Sequence, residues 1–123
     1  MKQAPTDKHF LKVHVLVQKY LEFDEEIIHL VKQKQSLFTI WPEYIVATTK
    51  RLFFCIPTGF GPKLRILNYP LDYIENINLK TNLWGSILQV RFSKSGVITT
   101  RYLPVNSTKE LYDFIVEQTS EKS

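Results

Sequence analysis

Nucleophilic catalysis needs a nucleophile with a base within hydrogen-bond reach and a third group to orient that base. This chain carries one cysteine, Cys55, and three histidines, His9, His14 and His29, all in its first quarter. Cys55 sits in the apolar run Arg51–Ile56 (RLFFCI), where a free cysteine behaves as a small buried hydrophobe. A lone cysteine makes neither an internal disulfide nor a Cys-pair zinc site. His9 and His14 are five positions apart, whereas two ligands on one helical face stand four apart. Glu22, Asp24, Glu25 and Glu26 are close in sequence, but they lack the glycine and the ligand spacing of a calcium loop and read as a solvated turn. Gly59 and Gly61 lead into a strand and not a helix, so they do not form a phosphate loop. The expectation is therefore no enzyme, no metal and no cofactor.

Charge and aromatic placement point to binding instead. The net charge is +4 and unevenly spread. Residues 32–109 hold eleven Lys/Arg against three acids, a net +8, whereas residues 1–31 carry −1 and residues 110–123 carry −3. A basic body of this kind attracts phosphates or an acidic surface, unless the acidic ends serve only to balance it. Trp84, in the break Leu83–Trp84–Gly85, is the leading interface candidate, because Trp anchors interfaces more often than most residues. Its alternative is a core residue folded back under the loop.

A chain of 123 residues is one domain by size and long enough to bury a core without disulfides or metal. Apolar residues make up 44% and charged residues 23%, ordinary values for a globular protein. Met1–Phe10 has no apolar core of the signal-peptide kind. No run approaches the roughly 18 apolar residues of a membrane span. The expected location is the cytoplasm, with peripheral attachment to a membrane as the alternative.

The elements that must position these residues follow from periodicity. Phe10, Val13, Val17 and Leu21 recur three or four apart, which predicts a helix over 7–21. The acidic stretch Glu22–Glu26 marks a turn. From Ile27 the period becomes two: strands are expected over 27–33, 37–48 (split by Pro42), 51–56, 64–69, 74–80, 87–92 and 97–103. Ile28 and Leu30 would share one face of the first strand, opposite Ile27, His29 and Val31. Pro57–Pro62 (PTGFGP) and Thr81–Ser86 (TNLWGS) read as loops, and Ser93–Gly96 (SKSG) as a hairpin turn with Gly96 free to take positive φ. Ser107 and Glu110 have capping-box spacing and predict the start of a last helix carrying Leu111, Phe114 and Ile115. Seven short strands joined by tight turns argue for a sandwich or barrel. The helical stripe then covers an open edge or corner. Phe54, Phe92 and Tyr102 read as inward, so no aromatic platform for nucleic acid is expected.

Four segments resemble a known family. They are Glu25–Ile28 (EEII), Val46–Phe54 (VATTKRLFF), Tyr69–Ile74 (YPLDYI) and Glu110–Ile115 (ELYDFI). Together they resemble the bacterial pleckstrin-homology-like domains, in their YokE-like branch, over roughly residues 20–119. Relatives often carry Asn or Asp where this chain has Thr49, a residue that tolerates positive φ poorly. The resemblance implies a mainly β fold: a seven-stranded orthogonal sandwich or partly open barrel, with sheets of four and three strands, a C-terminal helix plugging one corner and an additional N-terminal helix. It implies one domain, with residues 1–24 as a helical extension, 25–119 as the core and 120–123 as a tail. It implies no established enzymatic activity, and some members assemble into rings.

The resemblance also places the loops after strands one, three and six at one end. There Lys32, Lys34, Lys63, Arg65 and Lys94 would meet Phe38, Trp41 and Phe60, a combination suited to anionic lipid. The reading that follows is a non-catalytic interaction or scaffold module that binds protein, including itself, with Trp84, Phe60 and Trp41 as interface candidates. The alternative is a peripheral membrane module using the five basic residues; nucleic acid is not an expected partner.

Overall fold

The computed structural model describes residues 8–34, 41–58 and 63–120. Helix α1 (Lys8–Gln18) precedes a four-stranded antiparallel sheet of β1 (Ile27–Lys32), β2 (Tyr44–Thr48), β3 (Arg51–Pro57) and β4 (Leu64–Pro70). A short 3-10 helix, Leu71–Tyr73, leads into a second sheet of β5 (Ile74–Asn82), β6 (Gly85–Phe92) and β7 (Gly96–Leu103). Helix α2 (Val105–Ser120) follows. The sheets of four and three strands match the expectation, and they do not join into a closed barrel.

β2 and β3 are buried on both faces, which is why they read as nearly continuous apolar runs and not as clean alternation. Ile45, Ala47, Leu52 and Phe54 point toward the second sheet and α2, with Leu88, Val90, Phe92, Leu111 and Ile115 opposite. Phe54 meets Phe92 edge-on at 6.0 Å, and Tyr69 stacks on Phe92 at 4.3 Å. Tyr44, Val46, Phe53 and Cys55 point the other way and are covered by Val13 and Val17 of α1. Helix α1 thus packs on its own sheet. Two of its other apolar residues, Leu11 and Val15, are left exposed.

Three local expectations change. Ile27 and Val31 share sequence parity but lie on opposite faces, because a register shift between Ile27 and His29 inserts one extra residue. The last helix begins two residues before Ser107, so Ser107 and Glu110 lie inside it. Pro104 ends β7 and accepts the Thr108 amide at 3.2 Å, which starts the helix at once. The TNLWGS break shrinks to a two-residue turn, since β5 runs to Asn82 and β6 starts at Gly85. The 37–41 part of the expected second strand lies outside the described residues except for Trp41, which sits in a bend. Gly96 takes φ +87°, as expected, and Lys94 and Tyr102 share the positive-φ region; Thr49 does not. Tyr102 is half-buried and not fully inward.

Candidate functional site

Two polar constructions bracket the fold. The first lies at the β2–β3 turn. The Glu25 side chain has no exposure and accepts four hydrogen bonds: from the Glu22 amide (3.1 Å), Thr48 Oγ1 (2.6 Å), Arg51 Nε (3.0 Å) and Arg51 Nη2 (2.7 Å). Burial opposes its ionisation, and the Arg51, Thr48 and Glu22 donors overcome that penalty, holding its carboxyl down at about 2. Arg51 also donates to the Tyr20 carbonyl at 2.6 Å and lies over the Phe53 ring. Lys50 donates to Glu22 and Asp24. The acidic stretch is therefore a clasp that ties the α1–β1 linker to the β2–β3 turn: Glu22 and Asp24 share Lys50, and Glu25 takes Arg51. Beside it opens a cleft of about 410 Å³ lined by Glu22, Lys50, Leu71, Asp72 and Gln118, among others.

The second construction is the β5–β6 tip. Neither Leu83 nor Trp84 has positive φ; Gly85 supplies it at +129°. The Asn82 carboxamide accepts the Trp84 amide at 2.8 Å, an Asx turn that closes the hairpin without the usual Asn-Gly pair. A Cβ on Gly85 would stand 2.7 Å from the Leu103 carbonyl, so only glycine fits there. Lys34 donates its amide to the Tyr102 carbonyl (2.7 Å) and its ammonium to the Trp84 carbonyl (3.3 Å). Every backbone constraint holds the tip in place, yet its side chains stand in solvent: Leu83 is 90% exposed and Trp84 68%. Trp84 is not folded back under the loop.

The five basic candidates do not form one group. Lys34 lies at the Trp84 end of β6 and Lys94 in the turn beyond its other end. The eight residues of β6 between them span roughly 23 Å. Lys32, on β1, pairs with Tyr44 of β2, while Arg65, on β4, pairs with Ile56 of β3, with Lys63 just before β4. These share one end of the first sheet at opposite edges, three strand spacings or roughly 14 Å apart. Trp41 is partly exposed; Phe60 and Phe38 lie outside the described residues.

A different basic surface emerges that no sequence pattern marks. The outward residues of the second sheet are Glu75, Asn76, Asn78 and Lys80 on β5, half-buried Ile87 with Gln89 and Arg91 on β6, and Val97, Thr99 and Arg101 on β7. Each cation belongs to a different strand: the register sets Lys80 and Arg101 on either side of Ile87, and Arg91 four residues, roughly 13 Å, further along β6 on the same face. Alternation alone marks each as outward but says nothing of the others.

Cys55 is fully buried, and burial pushes its thiol up to about 12, far from nucleophilic. His29 lies edge-on to Phe114, and burial lowers its basicity against an opposing pull from Glu110. Among the described residues no three His, Cys, Asp or Glu side chains gather as metal ligands, and no helix is long and apolar enough to cross a membrane.

The two packed sheets and the C-terminal helix across their corner define a pleckstrin-homology-like fold. The chain belongs to the bacterial PH domain family, whose model matches residues 21–117 and leaves α1 outside. A pleckstrin homology domain from Shewanella amazonensis superposes with a TM-score of 0.64 at 18% identity, covering 89% of this chain and 97% of that one. At that identity the likeness shows the fold alone. No curated protein matches the chain.

Proposed function

We propose that this PH-like domain is a non-catalytic protein-interaction module of the cytoplasm, a scaffold that engages its partner through the β5–β6 tip and associates with itself. The observation that carries this reading is the Leu83–Trp84 pair, rigidly held and left in water. A rigid aromatic loses little conformational freedom on binding, which is what makes Trp an anchor. The test is the solution mass by light scattering over a concentration series. The wild type should exceed the 14.5 kDa of one chain. Trp84→Ala should weaken association by about 2 kcal/mol, roughly thirtyfold. A wild type that stays at one chain's mass at every concentration overturns self-association.

The second reading is a peripheral membrane module. It draws support from Lys34, whose ammonium lies against the apolar tip. Salt-sensitive sedimentation with anionic vesicles, lost on Trp84→Ala, would favour it. Lys32, Lys63, Arg65 and Lys94 would contribute only as separate contacts, given their spacing.

A further inference from the structure

The outer face of the second sheet carries Lys80, Arg91 and Arg101 among the amides of Asn76, Asn78 and Gln89; its acid, Glu75, sits in the β5 register shift at the Arg91 end, away from Lys80 and Arg101, and accepts from Ser93. None of the three cations forms an ion pair among the described residues. Lys80 lies two residues before the Asn82–Gly85 turn, and Arg101 lies two residues before Leu103, which pairs with Ser86. The basic face therefore runs directly into the Leu83–Trp84 tip. Lys80 and Arg101 sit on strands two spacings apart, roughly 10 Å, close enough to act on one acidic segment.

The same chain presents the complement elsewhere. In the α1–β1 linker Phe23 is 104% exposed, so its ring has no cover at all. It stands between Glu22 and Asp24, with Glu25 and Glu26 next in line. The clasp neutralises this segment only in part: Glu22 and Asp24 share the single charge of Lys50, and Glu25 takes Arg51, so three carboxylates meet two cations. The linker lies beside the cleft that Gln118 lines, near the end of α2, while the tip lies near the start of α2. The 16 residues of α2 put roughly 24 Å between the two surfaces.

We infer that these two surfaces are the halves of one contact between copies. The Leu83–Trp84 tip and the Lys80/Arg101 face of one chain receive the Phe23 segment, with its flanking carboxylates, of the next. This rests on the self-association proposed above and names its mating surfaces. The patches differ, so the contact is heterologous and propagates from copy to copy, closing as a ring or extending as a filament. Opposite charges set the register, and the apolar pair of Trp84 and Phe23 supplies the burial.

Charge reversal with mixing tests the pairing. The two variants are Lys80→Glu with Arg101→Glu, and Asp24→Lys with Glu26→Lys, each first shown to keep the wild-type circular dichroism spectrum. Alone, each should sediment as a monomer under conditions where the wild type assembles. Mixed in equal amounts, they should assemble again, because the acidic face meets the basic linker and the native face meets the native linker. Phe23→Ala, which changes no charge, should weaken assembly as Trp84→Ala does. If the wild type assembles but the reversals leave its mass unchanged, or the mixture stays monomeric, the pairing is overturned while self-association stands. A monomeric wild type overturns both, and Trp84-dependent binding of that monomer to anionic vesicles would assign the tip to a membrane.

Discussion

At the β2–β3 turn a buried carboxylate is surrounded by four donors, while at the β5–β6 tip a Trp and a Leu stand in water. Both regions are rigidly built, but for different ends. The clasp satisfies every polar atom it buries, so its geometry serves the fold. The tip hydrogen-bonds the Trp84 amide and carbonyl and leaves its apolar side chains without cover, so those side chains add no burial to the fold. Structure that costs the chain ordering and yields it no burial points outward, to a partner.

Mutations should separate the two regions. Glu25→Ala should have the largest effect on stability, about 3 kcal/mol, because it strands Arg51 and Thr48 without their acceptor; a urea midpoint would read it. An unchanged midpoint would show that the clasp is ornamental. The same contrast has a pH signature. Glu25 is held near 2 against the usual 4.5, so its contribution is complete above about pH 4.5 and drains away as pH falls toward 2. Wild-type stability should decline through that window, and the Glu25→Gln protein should decline less.

Gly85→Ala should come next, at about 2 kcal/mol, since a Cβ at φ +129° collides with the Leu103 carbonyl. It should also displace the tip and weaken self-association, linking the two readouts at one residue. Trp84→Ala should leave the thermal midpoint within about 0.5 kcal/mol of wild type while weakening association. If it instead destabilised the fold, the tip would belong with the clasp and the contrast would collapse. Lys109→Ala removes an exposed i,i+4 pair with Asp113 and should cost about 0.4 kcal/mol at most.

Much of the fold was legible because it is local. Alternation in β6 and the helical stripe of α2 depend only on which neighbours in sequence share a face, and burial follows that pattern. The sequence also marked Cys55 as inert, since a thiol inside RLFFCI has nowhere to go but inward. The site was less legible. Trp84 could be singled out by type, but whether it turned in or out depended on an Asx turn and on Gly85 meeting Leu103 across the sheet. The acidic linker read as a solvated turn because its partners Lys50 and Arg51 lie more than twenty residues on.

The amino-acid sequence by itself determined the mainly β class, the order of strands and helices, the absence of a disulfide and the excess of positive charge in the middle of the chain. Tertiary structure alone decided where that charge is concentrated. Strand pairing placed Lys80, Arg91 and Arg101 on one face and set Lys34 and Lys94 at opposite ends of β6. The reason is physical: periodicity records which way a side chain points, whereas a surface is made by register between strands, and register is a property of the pairing and not of either strand alone.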